Sequence, residues 1–413
     1  MYKNPFFLLL FLFLINNLIS QEKPQIVKFD SISFYYNASF KNDKLKNLKK
    51  ATELALQTNN DSIIKKVSIR YGVQSLYKRD TTGLITAENN LLKVYKKSKD
   101  SFALAKYYHM KAMKSKVLYR VDSAYFYYNQ SKNISVSTKD SLAIARRLLS
   151  MAIMQLLEND LLGSEITSIE ALRYIEPLKE NVYTGVLYNN LGRVYQEYGS
   201  SKESRKWFQK ANEVNKNNPN KNRKEIDYLT FLNNMGVSFN DEKKFQKAIP
   251  YFEKALKKDS IFLKYRLLYN RLLENLSYSY FELKNYTKAK EGYIKVLTNR
   301  TESNDLYNLS TTHKLLADFY TKQKNRNKVL YHSKKGLELA EKSNHTRRYL
   351  QNLYLLAKNT KGEKAKKYLE KHIEVSDSLY YKQLRLKNQF AKIRYETDKK
   401  EQENTVLKSE NEK

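Results

Sequence analysis

The chain contains no cysteine, which excludes disulfide bonds, thiol catalysis and metal sites built on thiolates. With only 10 glycine and 5 proline residues among 413, it also has too few turn residues for a mostly β fold. No two of its 5 histidines lie four residues apart, the spacing that places two metal ligands on one helix face. A glycine-rich phosphate loop is missing as well. We therefore predict a non-enzymatic protein without a metal site or a cofactor.

What the chain does contain is a small residue that recurs every 40 to 44 positions. The series consists of Gly72, Ala112, Ala152, Gly192, Gly236, Ser277, Ala317 and Ala357. A repeat of this length is typical of a solenoid, in which each unit buries its apolar face only by stacking on its neighbours. A hydrophobic content of 41% is sufficient for such a continuous core.

The residues around the small position predict two helices per repeat. In the clearest repeat, Tyr188, Leu191, Gly192 and Tyr195 share one helix face, and Ser204, Phe208 and Ala211 repeat that spacing on a second helix. This pattern resembles the tetratricopeptide repeat, most specifically between residues 185 and 297. The resemblance implies an all-α, right-handed superhelical solenoid of about eight helix pairs. A step near 40, against 34 in the compact repeat, predicts longer links such as 215–223.

Four segments are predicted along the chain. Residues 1–20 have the layout of a secretory signal peptide, with Lys3 before the apolar run 6–15. An extended leader (21–40), the repeat solenoid (41–375) and a long C-terminal helix (376–413) follow. We expect an exported protein, periplasmic or envelope-associated, with an uncleaved N-terminal anchor as the alternative because Leu18 is not the small residue preferred near a cleavage site.

The net charge of +33 raises the question of nucleic-acid binding. Lysine and arginine are spread over every repeat and mixed with Asn and Glu, with only short clusters such as 221–224. A nucleic-acid interface would concentrate them in one stripe with interleaved aromatic residues. The pattern favours a solvated basic surface.

Helical periodicity also predicts where a partner binds. Positions six and two before the small residue, and one and five after it, point to the concave side of a solenoid. Asn lies two places before the small residue in three repeats, and an amide can donate to and accept from the backbone of a bound peptide. In peptide-binding tetratricopeptide domains, an Asn at this place grips the ligand backbone. The alternative is that these side chains satisfy neighbouring helix ends. The predicted groove consists of Asn189, Asn190, Arg193, Glu197, Asn233, Asn234, Asn240, Asn275 and Tyr278, with Arg193 facing an acidic terminus.

The C-terminal segment follows a different period. Leu379, Gln383, Leu386, Phe390 and Ile393 alternate steps of four and three, which is typical of a coiled-coil helix. Residues 387–399 resemble the connector after the sensor region of bacterial membrane-bound histidine kinases and helix-turn-helix regulators.

We therefore predict a protein- or peptide-binding module, the sensor part of an envelope signalling system, without its own span or output domain. It would self-associate or pair with a membrane signalling protein through 376–413. The alternative is a structural scaffold for cell-envelope protein assembly.

Overall fold

A computed structural model describes residues 29–40, 43–179, 181–258 and 261–411. This part of the chain is helical throughout and contains no β-strand. It divides into two compact units. Unit 1 runs to Met154 and includes the residues from Gln389 onward, whereas unit 2 spans Gln155–Asn388.

Unit 1 is built from consecutive antiparallel helices. They are α1 (29–38), α2 (Lys44–Gln57), α3 (Asp61–Lys78), α4 (Thr81–Ser98), α5 (Ser101–Val117), α6 (Val121–Ser137) and most of α7 (Ser141–Leu157). One buried cluster joins α1, α2 and α3 through Ile32, Ala51 and Ile64. A second cluster joins α4 to α5 through Leu84, Leu91 and Met110, so each helix packs on the one before it.

Unit 2 continues the same arrangement. Its helices are α8 (Leu161–Ile175), α9 (Asn181–Glu197), α10 (Ser201–Asn215), α11 (Lys221–Asp241), α12 (Phe245–Leu256), α13 (Ile261–Lys264), α14 (Arg266–Glu282), α15 (Tyr286–Glu302), α16 (Leu306–Lys322), α17 (Arg326–Lys342), α18 (Thr346–Asn359) and the first part of α19 (Gly362–Asn411). A 3₁₀ turn, Glu176–Leu178, follows α8. The predicted all-helical repeat solenoid is confirmed.

The turns between helices recur every twenty residues over the first half of the chain. One residue of each turn adopts a left-handed conformation with φ between 51° and 64°: Asn59, Arg79, Lys99, Tyr119, Lys139, Asn159 and Lys179. The next residue commonly caps the following helix, as Asp100 does by accepting from the backbone N–H of Ala103. Each 40-residue repeat therefore holds two helices of about 17 residues, as in α5 and α6. The link between α10 and α11, residues 216–220, is longer than the usual turn, as predicted, but in most repeats the additional residues lengthen the helices instead.

The recurring small residue lies where a large side chain of the paired helix crosses it. A Cβ atom on Gly192 would lie 2.4 Å from the ring of Phe208, and one on Gly236 would lie 2.5 Å from the ring of Phe252. Both phenylalanines are completely buried. A close approach of helix to ring is therefore the reason for glycine at these two positions.

Two predicted segment boundaries need correction. Residues 29–38 of the predicted extended leader are helical, because Ile32 is buried against α2. The signal peptide and residues 21–28 of the leader lie outside the described residues. The C-terminal helix begins at Gly362 rather than at residue 376, since no glycine or proline interrupts the following fifty residues.

Candidate functional site

Four asparagine side chains on three helices of unit 2 form a continuous chain of hydrogen bonds. Asn234 Nδ2 donates to Asn189 Oδ1 at 3.2 Å, which links α11 to α9. Asn233 Nδ2 donates to Asn234 Oδ1 at 3.2 Å, and Asn275 Nδ2 on α14 donates to Asn233 Oδ1 at 2.9 Å. We call Asn189, Asn233, Asn234 and Asn275 the amide wall.

The amide wall keeps hydrogen-bonding capacity for a ligand. Asn189, Asn234 and Asn275 are half-buried, whereas Asn233 is buried behind them. Each amide has two N–H donors and an oxygen with two lone pairs, and the bonds within the wall use only part of them. An extended peptide backbone needs such paired donors and acceptors because it alternates N–H and C=O groups.

Asn190 is not part of the wall. It is only 3% exposed, and its Nδ2 donates to Ser164 Oγ and Ser168 Oγ on α8, both at 3.0 Å. Its predicted place in the groove is therefore corrected, because two serine hydroxyls of the preceding helix satisfy it. For Asn190, therefore, the alternative stated above applies: the side chain bonds to the neighbouring helix and not to a ligand.

Asn240 also has a structural role. It is buried, its Oδ1 accepts from Ser279 Oγ at 2.8 Å, and its Nδ2 reaches the carbonyl oxygen of Asn275 at 3.5 Å. These contacts join α11 to α14 one turn beyond the amide wall. Asn240 thus holds the wall in register and is not available to a ligand.

The three other predicted residues flank the wall. Arg193 and Glu197 are exposed on α9 and do not form an ion pair with each other. Tyr278 is half-buried, and its ring meets that of Phe245 edge to face with centroids 6.1 Å apart. Burial and the carboxylates of Glu282 and Asp241 raise the pKa of Tyr278 to about 12.

Arg271 on α14 belongs to the same surface and was missed by the sequence reasoning. It lies six positions before Ser277, which is one of the positions expected to face a ligand. The residue is exposed, yet enclosure of its guanidinium by neighbouring side chains and the charges of Arg193 and Arg300 lower its pKa, while Glu274 acts in the opposite direction. The positional rule would have found Arg271 if it had been applied at every predicted position.

Carboxylates occupy the opposite edge of this surface. Glu197, Asp241 and Glu282 are the last residues of α9, α11 and α14 and are exposed. The C-terminus of a helix carries partial negative charge, so acidic residues there add to an unfavourable potential. Although the residue is exposed, enclosure of its carboxylate by neighbouring side chains and the charge of Glu197 raise the pKa of Asp241, against the effect of the hydrogen bond that it accepts from Gln196 Nε2 at 2.6 Å.

A cavity of about 270 Å³ opens beside Tyr278. Phe281, Tyr293 and Leu315 contribute apolar lining. On α16, Lys314 and Asp318 form an ion pair at 2.5 Å along its side. A cavity of about 150 Å³ holds a benzene molecule, so this one has room for one side chain of a ligand.

Two histidines meet although they lie 19 residues apart in the sequence. His313 Nδ1 on α16 and His332 Nδ1 on α17 are 3.0 Å apart and both residues are buried. Burial lowers the pKa of each to about 4. Within the described ranges no group of three His, Cys, Asp or Glu residues could hold a metal ion.

Unit 1 contains a basic cluster on α5 and α7. Arg147 is 2% exposed, and its Nη1 lies 2.7 Å from His109 Nδ1. Burial, followed by the charge of Arg147, lowers the pKa of Lys106 to about 8 and that of His109 well below its usual value. Residues of this cluster were not predicted from the sequence.

Comparison with known families supports the repeat assignment. Residues 186–218 and 229–259 match the tetratricopeptide repeat family. These stretches contain three members of the amide wall and both glycines that pack on phenylalanine. No curated protein sequence shows significant similarity to the chain.

Several solved structures share this fold at low sequence identity. The apo form of the quorum sensor NprR from B. thuringiensis is 15% identical, with a TM-score of 0.60 over 84% of this chain and 98% of that one. NprR in complex with its cognate peptide NprX is 16% identical, with a TM-score of 0.52 over 83% and 97%. A Rap protein complexed with competence and sporulation factor is 13% identical, with a TM-score of 0.56 over 90% and 100%.

These comparisons correct the expected location. The chain was predicted to be exported, periplasmic or envelope-associated, with an uncleaved anchor as the alternative. That prediction is contradicted by the similar structures, which are the quorum sensor NprR and a Rap protein, each solved with a bound partner. Across the residues that the structure describes, no helix has the length and apolar character needed to cross a membrane.

Proposed function

We propose that unit 2 is a non-enzymatic peptide-binding module and that the amide wall holds the backbone of an extended peptide. The observation that carries the proposal is the connected row of Asn189, Asn234 and Asn275 on three successive repeats. The peptide complexes of NprR and Rap, which share the fold, support it.

The wall suits a backbone because its contacts would be independent of the ligand's sequence. Bound N–H and C=O groups need partners once water is excluded, and side-chain amides supply both kinds. Since the wall is already hydrogen-bonded, it loses little conformational freedom on binding. Sequence preference would come from the flanking residues, such as Tyr278 with its adjacent cavity.

We further propose that peptide binding serves a sensor function. The resemblance of residues 387–399 to the connector of bacterial sensor proteins supports this step. The connector lies in the same helix, α19, that begins in unit 2. Pairing with a signalling protein, or self-association, through residues 376–413 belongs to this proposal.

The test is affinity selection from a synthetic library of random hexapeptides with free termini, with bound peptides identified by mass spectrometry. Dissociation constants of the selected peptides are then measured by fluorescence anisotropy. Asn234→Ala should weaken binding by about tenfold, because about 1.4 kcal/mol corresponds to two lost hydrogen bonds. Asn217→Ala, which alters an exposed asparagine between α10 and α11, is the matched control and should bind as the wild type does.

Two results would contradict the proposal. Either no peptide is retained above the level of an unrelated helical protein, or Asn234→Ala binds the selected peptides as tightly as the wild type. Circular dichroism and thermal unfolding establish whether Asn234→Ala folds. Asn275→Ser provides a second test of the wall on another helix.

A further inference from the structure

The outer side of α8 carries large aliphatic side chains. Leu162, Ile166 and Ile169 are 56%, 47% and 39% exposed, and they form one stripe because they lie four and three residues apart on the helix. Along the same turns the buried side instead carries the hydroxyl groups of Ser164 and Ser168, which accept hydrogen bonds from α9. A helix that faces water has the reverse pattern, with apolar residues inside and polar residues outside. The stripe therefore has the character of a surface that another molecule covers.

Carboxylates border this stripe in a chain that is otherwise strongly basic. Residues 157–178 contain five acidic residues and one basic residue, although Lys and Arg outnumber Asp and Glu by 76 to 43 in the whole chain. Successive residues of an α-helix are rotated by about 100°, so Glu165 lies along one side of the stripe and Glu170 along the other. The basic residue, Arg173, follows at the end of the stripe. We call Leu162, Ile166, Ile169, Glu165 and Glu170 the α8 face.

Glu165 is held in position without being neutralised. Its Oε1 accepts from Tyr195 Oη at 2.7 Å. This hydrogen bond, followed by burial, raises the pKa of Tyr195 to about 12, so the phenol stays protonated and uncharged. A carboxylate has more lone pairs than one hydroxyl uses, and Glu165 can therefore also accept from a cationic side chain.

The acidic segment already meets one basic side chain within unit 2. Lys382 Nζ on α19 lies 3.7 Å from Glu158 Oε2, just before α8 begins. Both side chains are partly accessible to water, so this pair contributes little to stability. It shows the chemistry that suits this segment, which is a lysine presented by a helix.

We propose that the α8 face docks a basic amphipathic helix of a partner protein. Apolar side chains of that helix pack on Leu162, Ile166 and Ile169, since a straight row of side chains is what helix–helix packing uses. Lys or Arg beside them reach Glu165 and Glu170. The acidic borders attract such a helix, whereas a second copy of this chain is repelled by the net charge of +33. The inference goes beyond the proposed function, because the α8 face and the amide wall share no residue.

The probes are two fluorescein-labelled synthetic peptides of five helical turns with the same leucine stripe. One has lysine on both sides of the stripe and the other has glutamate. Ile166→Ser with Ile169→Ser should weaken binding of the lysine peptide to the full chain by at least about tenfold, because apolar contacts are lost. The glutamate peptide should show no such change. Leu263→Ser with Leu267→Ser removes two exposed leucines elsewhere in unit 2 and should leave the lysine peptide's affinity unchanged.

A second pair of variants tests the charges. Glu165→Gln with Glu170→Gln should weaken binding of the lysine peptide by about threefold to tenfold at low salt and by less at high salt, since ions screen exposed charges. The matched control is Glu253→Gln, because Glu253 also accepts from a tyrosine, Tyr280 Oη, at 2.8 Å. It should bind the lysine peptide as the wild type does. Fluorescence anisotropy measures all of these affinities.

Two results would overturn the inference. In the first, the lysine peptide binds neither protein, or binds the wild type and the Ile166→Ser, Ile169→Ser variant equally. In the second, sedimentation equilibrium finds a dimeric wild type and a monomeric variant, so the α8 face is a contact between copies of this chain. Thermal unfolding of the variants should match that of the wild type, because the substituted isoleucines are exposed. Neither result affects the Asn234→Ala test of peptide binding.

Discussion

Phe390 in α19 stacks on Tyr125 in α6, with ring centroids 4.3 Å apart and an interplanar angle of 27°. Both side chains are completely buried within unit 1. The sequence places Phe390 in a heptad pattern and predicts that it faces a second helix of a coiled coil. Leu386, another member of that pattern, is 4% exposed. Self-association through this helix would therefore have to use side chains outside these two positions.

Phe390→Ala should lower the stability of unit 1. Removing a fully buried phenylalanine costs about 3–5 kcal/mol, because apolar contacts are lost and a cavity remains. Tyr395→Ala is the control on the same helix; Tyr395 is 69% exposed, so its loss should change stability by less than about 0.5 kcal/mol. Urea unfolding followed by circular dichroism measures both. Equal unfolding midpoints for the two variants would show that the aromatic contact does not hold the C-terminal segment in place.

Gly236→Ala should destabilise unit 2 although alanine favours a helix. The added Cβ would lie 2.5 Å from two ring atoms of Phe252. Overpacking of this kind costs about 1–3 kcal/mol, against about 1 kcal/mol gained in helix propensity. Thermal unfolding in a double-mutant cycle with Phe252→Leu tests the cause. If the substitution costs as much beside leucine as beside phenylalanine, contact with the ring is not the reason for glycine.

Glu274→Gln should be strongly destabilising because it leaves the charge of Arg300 buried without a counter-charge. The two side chains are 8% and 3% exposed, and breaking a buried ion pair from one side costs about 3–5 kcal/mol. Glu203→Gln disrupts the exposed pair with Lys206 and should cost less than about 1 kcal/mol. Chemical denaturation compares the two variants. Replacing both partners, as in Glu274→Leu with Arg300→Met, should recover much of the loss.

Unit 2 should lose stability in mild acid. Burial lowers the pKa of His313, His332 and His345 to about 4, whereas a histidine in the unfolded chain has a pKa of about 6.5. Between these values the unfolded chain binds more protons than the folded one, so stability falls as the pH drops from about 6.5 to about 4. Lys328 and Lys335 near the His313–His332 pair act in the same direction, and Glu338 opposes them at His313.

His332→Gln should reduce the dependence of stability on pH in this range. The slope should decrease without vanishing, because His345 still titrates. The measurement is the free energy of unfolding at a series of pH values, compared between variant and wild type. An unchanged slope would mean that the buried histidine pair does not contribute.

The candidate site could be predicted only in part. Asn234 and Asn275 lie two positions before the small residue and belong to the amide wall, as the helical period indicates. Asn190 has the same position but is buried against α8. The difference comes from Ser164 and Ser168 of the preceding helix, and one helix's period carries no information about its neighbour's side chains. Arg271 was missed for a simpler reason, since it lies at a predicted position that was not searched.

The spacing of small, aromatic and aliphatic residues by itself determined that the chain forms paired helices, because helix periodicity and close helix packing are local properties that repeat with the sequence. The absence of breakers after Gly362 likewise determined one long helix. Only the tertiary structure decided that Phe390 meets Tyr125, that Glu274 neutralises Arg300, and that Asn233 links Asn234 to Asn275. Those relationships join residues far apart in the chain, and their energies depend on burial and on the charges brought near by folding.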